Sequence, residues 1–390
     1  MIGNLLDGAL LLAGAYGWAA AGVWAWRCAL GRISRHRILQ VSSRPAPPEA
    51  PLVSVLVPAR NEEANIAECL EGLLAQDYPR IEVIAIDDNS SDRTGELIAR
   101  ASKRDPRLRA ERAPPTPPGW TGKNRALAWG AERARGEWLL FTDADTRHGP
   151  WALSSAMVFA MERNLDVLSL IPRALTLTFA EKVLQPAAMG YLGRWFPLDR
   201  VNDPTDPTAF ANGQFLLLKR SAYDALGGHS AVREAYLEDV ALARAAKRRG
   251  LRLECALGKR LLGVRMYDSL PRYFRGWRRI YLHAFDRRPR ALLSRALDLA
   301  ALSVLPFGLP VVTFAYSAGS WAGATVAEIL AGLGTVLPLP LIYLFAGKVH
   351  STLRAGRAYA LFHPFAAAVL VGVLLDAARA ARAGAPTPWR

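Results

Sequence analysis

The chain has 390 residues, 49 lysines and arginines against 34 aspartates and glutamates, a formal charge of +15 and 51% apolar residues. That length excludes a small scaffold dependent on disulfides or a structural metal, and Cys28, Cys69 and Cys255 show neither metal-ligand spacing nor a disulfide framework. The sequence pI is about 10.2, but there is no zinc-finger spacing or aromatic-rich recognition motif, and many arginines lie beside apolar runs; a lipid surface accounts for the charge, and no nucleic acid is expected as a partner.

In chain order, "LLDGALLLAGAYGWAAAGVWAW" gives about twenty residues with a single charge, enough to cross a hydrocarbon core of roughly 30 Å. Asp7 in front and Trp24, Trp26 and Arg27 behind disagree with a cleaved signal peptide, so 1–27 reads as an anchor. The cluster Arg27, Arg32, Arg35, His36 and Arg37 then predicts that the chain after residue 27 is cytoplasmic. Residues 28–51, with the proline-rich "SSRPAPPEAP", read as a basic juxtamembrane linker.

From residue 52 the pattern alternates. "LVSVLVPA" predicts a buried strand, "RNEEANIAECLEGLLAQ" a helix, "IEVIAIDD" a second strand and "SSDRTGELIARAS" a helix capped by Ser90 or Ser91. After a proline loop, "KNRALAWGAERA" is helical and "EWLLFTDAD" is a third strand. Strands alternating with helices imply an α/β fold with parallel strands, whose ligands bind at the carboxyl ends. Those ends read Arg60-Asn61-Glu62, Asp87-Asp88 and Asp143-Ala144-Asp145. Asp143 and Asp145 can share a divalent cation that offsets their repulsion, and oxygen-only ligands favour Mg²⁺ or Mn²⁺ over zinc. A lone D-x-D on an arbitrary loop would be a solvated turn; its place after a buried strand points to a ligand site.

Residues 266–290 contain "PRYFRGWRRIYLHAF", with Tyr273, Phe274, Trp277, Ile280, Tyr281 and Phe285 on one helical face and Arg272, Arg275, Arg278 and Arg279 largely elsewhere. This suits a helix lying in the headgroup layer, or else a helix packed on a core. Residues 291–380 read as transmembrane: runs at 296–316 and 322–346 form a hairpin through "SAGSW", followed by basic "GKVHSTLRAGR". The last run, 361–376, carries His363 and Pro364 and is marginal in length for a span; 381–390 is a tail. Few spans with little internal charge, Asp298 being the main candidate, argue against a transporter.

The segments "VSVLVPARNEEANI", "IEVIAIDDNSSDRT", "GWTGKNRALAWG", "LLFTDAD" and "YLEDVALARAAKRRG" resemble, in this order and spacing, the family 2 glycosyltransferases over about residues 52–250. "PPGWTGKNRALAWG" with the membrane runs looks most like the hopene-associated and carotenoid-glycosylating branches. The resemblance implies a GT-A fold, a Rossmann-like nucleotide-diphospho-sugar transferase domain at 52–265, flanked by transmembrane helices in the cell membrane. It implies inverting transfer from a nucleotide diphosphate sugar, with uridine by family habit, to a hydroxyl of a membrane lipid such as a hopanoid or other isoprenoid. A polyprenyl-phosphate or polysaccharide transferase is the alternative, and an inactive membrane scaffold is disfavoured by intact Asp145 and Asp239.

On the same basis Asp88, with Asp87, would meet the base; Pro58, Arg60 and Glu62 would line the donor site; Asp143 would sit near ribose and metal; and Asp145 would bind the metal. Lys123 would meet the phosphates as a point charge. Asp239 of the Glu238-Asp239 pair would be the base that deprotonates the acceptor. Gly213, Glu238 and Trp277 would lie on the acceptor side. Helix capping is the plainer alternative for Asp87, Asp88 and the Glu238-Asp239 pair. His229, beside a Gly-Gly turn, reads at least as well as structural. Chain-building synthases carry Gln-x-x-Arg-Trp; aligned on Trp277, this chain has Tyr273 and Gly276 in place of Gln and Arg, which counts against processive extension. Sugar, acceptor and oligomeric state are not legible in the sequence.

Overall fold

The computed structural model describes residues 2–35, 39–317 and 325–384, of which 2–7 and 31–35 by backbone alone. The side chains of Arg32 and Arg35, residues His36 and Arg37, most of the "SAGSW" turn and the end of the tail therefore lie outside the described residues. In chain order the elements are α1 (Ile2–Arg35), β1 (Val53–Ala59), α2 (Ile66–Leu74), β2 (Ile81–Asp87), α3 (Thr94–Ser102), β3 (Leu108–Arg112), α4 (Gly122–Arg133) and β4 (Trp138–Phe141). Next come β5 (Thr146–His148), α5 (Ala152–Glu162), β6 (Val167–Ile171), β7 (Arg173–Ala174), α6 (Phe179–Trp195), α7 (Leu198–Val201), β8 (Leu216–Lys219) and α8 (Arg220–Leu226). The chain closes with α9 (Glu238–Arg248), β9 (Leu253–Leu257), β10 (Leu262–Val264), α10 (Leu270–Ala284), α11 (Pro289–Leu299), α12 (Leu305–Ser317), α13 (Val326–Val336), α14 (Pro338–Leu353) and α15 (His363–Arg382). These divide into two compact units.

One unit, Ile38–Leu175 with Gly193–Met266, holds the sheets. Its seven-stranded sheet has the order β3-β2-β1-β4-β8-β6-β9, and a second sheet has the order β5-β10-β7. β1 pairs in parallel with β2 and β4, Val55 standing opposite Val83 and Leu140. Helices cover both faces, so alternate residues feed two cores: Val55, Val57, Val83 and Leu140 pack with Leu70 and Leu73 of α2, while Leu56, Ile84, Leu139 and Phe141 pack with Leu127 of α4. Burial on both faces is why these strands are continuous apolar runs.

Several boundaries differ from the sequence reading. The helix expected from residue 60 starts at Ile66 because Asn61 is left-handed, φ 55. Neither Ser90 nor Ser91 caps α3; Asp92 Oδ1 accepts the Thr94 N–H at 2.9 Å instead. The sheet is mixed beyond β4, since β8 runs antiparallel to both β4 and β6. The end of the 28–51 segment is not a free linker: Gln40 bridges Leu257, and Val41 is buried against β9.

The other unit, Met1–Arg37, Thr176–Leu192 and Tyr267–Thr387, is helical. Among the described residues, four of its stretches, Gly8–Leu30, Pro289–Ala315, Val326–Leu353 and Arg357–Arg382, are long and apolar enough to cross a membrane. The last run is thus longer than its apolar core implied. α1 and α13 meet through small residues: a Cβ on Gly14 would collide with Ala331, and one on Gly17 with Gly334. Asp298 is paired with Arg27 at 2.5 Å, and that guanidinium stacks over Trp24. A π-helical turn at Ala300–Val304 frees carbonyls that accept from Tyr16 and Trp24.

Thr176–Leu192, inside the expected 52–265 domain, belongs to the helical unit. The aromatic face of α10, expected to lie in headgroups, is covered by α6: Tyr273 donates to Leu184 O at 3.2 Å, Trp277 to Gln185 Oε1 at 3.1 Å and Tyr281 to Ala188 O at 2.8 Å. Such rings carry a polar tip that needs a partner when buried, and α6 supplies three.

Candidate active site

The site grows from the carboxyl ends of β1, β2 and β4. β4 stops at Phe141, and Thr142 turns the chain away: its N–H reaches Leu56 O at 3.1 Å, while its Oγ1 donates to Gln214 O at 2.8 Å. The second bond ties the D-x-D loop to the turn before β8. That turn is built by Asn212, which takes the Gln214 N–H on its side chain at 2.9 Å and is itself held by Ser169 Oγ at 2.8 Å. Gly213 is left with its N–H pointing at Asp239 Oδ2, 2.6 Å away.

Glu238 and Asp239 open α9, where a helix N-terminus favours negative charge. Asp239 Oδ1 accepts the Val240 N–H at 2.7 Å. Lys123, in the first turn of α4, places its ammonium 2.7 Å from Asp143 Oδ1 and 2.5 Å from Glu238 Oε1. A Cβ on Gly213 would stand 3.2 Å from Asp239 Oδ2 and 3.3 Å from both Glu238 Oε1 and Lys123 Nζ. Five expected residues, Lys123, Asp143, Gly213, Glu238 and Asp239, therefore form one cluster.

Its charges are coupled. Burial, with Glu238 adding to it, pushes Asp239 well above the ordinary carboxylate range, and Lys123 draws it partly back. Burial would depress Lys123, but Asp143, Glu238 and Asp239 together outweigh it and hold the ammonium charged. His229 is buried with its Nδ1 on the Tyr223 hydroxyl at 3.0 Å and its ring edge-on to Phe141; burial first, then Lys123, push it down to about 3. It is a neutral packing group.

The other expected residues fall into separate roles. Asp88 is buried, 3.6 Å from Arg60 Nη1, and a Cβ on Gly122 would collide with its Oδ2. Burial raises its proton affinity, and Arg60 opposes this. Asp87 instead accepts the Ser90 N–H at 3.0 Å, shaping the turn toward α3. Glu62 is buried and takes the Asn65 amide at 2.8 Å ahead of α2. Pro58 stands within β1 opposite Ile86. Trp277 is a correction: it is 1% exposed in the helical unit with its indole N–H on Gln185, leaving no surface for an acceptor.

Asp143 and Asp145 flank buried Ala144. Among the described residues no group of three or more His, Cys, Asp and Glu side chains is arranged to hold a metal. The neighbouring Cys69 thiol is pushed up by burial and by Asp145, so it offers no thiolate. Two hard oxygen donors without a complete protein cage fit a Mg²⁺- or Mn²⁺-type ion that takes its other ligands from substrate phosphates.

Asn124 escaped the sequence reading. Fully buried, it donates to the carbonyls of Val232, Arg233 and Ala235 at 2.8, 3.1 and 2.9 Å. The one signal was a polar residue on the otherwise small, apolar buried face of α4.

A parallel sheet with carboxylates at its strand ends, continued by an antiparallel strand and an acidic helix start, is a GT-A-type α/β fold. A solved mannosyltransferase from Pyrobaculum calidifontis, in complex with GDP-Man and Mn²⁺, has this fold: TM-score 0.51 and 22% identity, covering 93% of this chain and 98% of that one. Residues 54–227 match the family model described as glycosyl transferase family 2, and the chain carries a domain of that family. The β-monoglucosyldiacylglycerol synthase of Trichormus variabilis is 33% identical over 183 residues, 46% of this chain and 38% of that protein. The 4,4'-diaponeurosporenoate glycosyltransferase of Staphylococcus haemolyticus is 25% identical over 221 residues, 56% of this chain and 57% of that one. Three Bacillus subtilis relatives, 32% to 38% identical, are matched over only 23% to 44% of their length.

Proposed function

We propose that the chain is an inverting glycosyltransferase that moves a sugar from a nucleotide diphosphate sugar, a UDP-sugar by family habit, to a hydroxyl of a membrane lipid. The observation that carries this reading is Asp239: a buried carboxylate of raised proton affinity, aimed by two backbone N–H groups, in one cluster with the D-x-D aspartate and Lys123. The acceptor hydroxyl gives its proton to Asp239 as its oxygen bonds to the anomeric carbon. The bond from that carbon to the diphosphate oxygen breaks, and the electron pair leaves with the nucleoside diphosphate. Lys123 meets the charge that develops there, Asp88 and Arg60 receive the base, and Glu238 holds Lys123 in place. Asp143 and Asp145 would hold Mg²⁺ or Mn²⁺, which when bound neutralises the leaving diphosphate.

The four apolar stretches support an acceptor that resides in the membrane. Two relatives named for a diacylglycerol and for diaponeurosporenoate support a membrane-lipid acceptor, a hopanoid or other isoprenoid lipid in this reading, while a relative named for teichuronic acid biosynthesis keeps a polymer as the alternative. Arg27, behind the first span, supports a cytoplasmic sheet unit in the cell membrane. The test is mass spectrometry of membrane-lipid extracts incubated with the purified protein, Mn²⁺ or Mg²⁺ and a panel of nucleotide sugars. A sugar-sized mass gain on an isoprenoid lipid is expected; nucleotide-sugar consumption with gain only on a polymer or a polyprenyl phosphate would reject the lipid-hydroxyl acceptor.

A further inference from the structure

Gly122, Lys123 and Asn124 are consecutive at the start of α4, and each faces a different partner: Gly122 abuts Asp88, Lys123 binds Asp143 and Glu238, and Asn124 binds the segment 232–235. That segment ends three residues before Glu238. Its hold on α4 is multiple, because Arg233 O also accepts the Thr121 N–H at 2.9 Å while Thr121 caps the helix by accepting from Asn124 N at 3.2 Å. The amide orientation is not arbitrary. Turned over, the side chain would set an oxygen against three carbonyl oxygens in a dry site.

We infer that Asn124 is a positioning residue for transfer: it locks the segment leading to Glu238 and Asp239 onto the helix turn that carries Lys123, so that the base and the phosphate-side ammonium keep one fixed spacing. Asn124 touches neither carboxylate and acts only through this backbone. Two side-chain N–H groups serve three carbonyls, and the chain from Ala235 to Asp239 is too short to drift independently of them. A base displaced by about 1 Å loses roughly a hundredfold in rate. The inference rests on the transferase reading.

The experiment compares Asn124→Ala, Asn124→Asp and Asn124→Ser with the wild-type protein. Asp keeps the shape of the side chain but cannot donate, and Ser keeps one donor. Expected are a fall in kcat of roughly tenfold to a hundredfold for Ala and Asp, a smaller fall for Ser, and nucleotide-sugar affinity by calorimetry within about threefold of wild type. The acid limb of kcat/KM should also move to lower pH, as water admitted around Asp239 relaxes its raised proton affinity. Unchanged kcat and pH profile in folded variants would overturn the inference. So would a joint fall of kcat, donor affinity and melting temperature with the pH profile unmoved, which marks a purely structural residue. Hydrogen exchange on the wild-type protein decides the matter even if no variant folds or no turnover is found: the Thr121 and Ala235 amides, bonded to Arg233 O and Val232 O, should exchange in step with the bonded amides of α4, and much faster exchange at these two would contradict the lock. Absent turnover in the wild type would count against the transferase reading itself.

Discussion

The Lys123 ammonium lies 2.5 Å from Glu238 Oε1 and, by its other contact, 2.7 Å from Asp143 Oδ1. One cation thus joins the end of β4 to the start of α9. A buried charge with such partners is costly to remove, because the partners stay behind.

Lys123→Ala should therefore destabilise the protein by about 3–5 kcal/mol, the scale for breaking a buried pair. Chemical denaturation reads this directly, and nucleotide-sugar affinity should fall with it. Stability within experimental error of wild type would show that Asp143, Glu238 and Asp239 do not depend on the ammonium.

Asp239 gives a pH prediction. Its proton affinity is raised from 3.8 to about 7 by burial and Glu238. Since the fold favours the protonated form, this group's contribution to stability is full below about pH 4 and is lost as pH rises through about 7. The melting temperature of Asp239→Asn relative to wild type should accordingly rise between pH 4 and pH 8, on top of a pH-independent loss because its NH2 replaces one of the two oxygens that accept Gly213 and Val240 N–H. The same shift places the acid limb of kcat/KM, which reports the free protein, near neutrality, and a limb near pH 4 would exclude Asp239 as the titrating base.

Gly213→Ala sets a methyl 3.2–3.3 Å from Asp239, Glu238 and Lys123 together. All three would have to yield by a few tenths of an ångström, so kcat should drop by roughly tenfold or more while the melting temperature changes little. A loss of stability without loss of kcat would separate Gly213 from the chemistry.

Metal removal tests the D-x-D pair. Chelation with EDTA should suppress nucleotide-sugar binding, Mn²⁺ or Mg²⁺ should restore it, and Asp145→Ala should weaken the restored binding at least about tenfold. Full binding in metal-free protein would rule out the cation's role at this pair.

Much of this site was legible because parallel strands buried on both faces are continuous apolar runs, and such runs fix where their carboxyl ends fall. Val53–Ala59, Ile81–Asp87 and Trp138–Phe141 were readable in this way, and so Asp88, Asp143 and Asp145 could be placed at strand ends. β3 was not, since "LRAER" is an edge strand with two apolar residues. The apolar face of α10 was visible in its spacing, but spacing does not say what covers a face; α6 does, and Trp277 left the expected site for that reason. Lys123 was singled out as a charge for phosphates, while its two carboxylate partners come from segments 20 and 115 residues away and no local pattern encodes them. Asn124 was invisible for the same cause: its three acceptors are backbone carbonyls more than 100 residues on.

The most direct test of Asp239 as the transfer base is a parallel measurement on wild-type and Asp239→Asn protein with the same nucleotide sugar and lipid: product formed by mass spectrometry, and donor bound by calorimetry. Expected are transfer by the wild type, no detectable transfer by the variant, and donor affinity in the two proteins within about threefold, since a base acts on the acceptor and not on donor binding. Full turnover by Asp239→Asn would contradict that role.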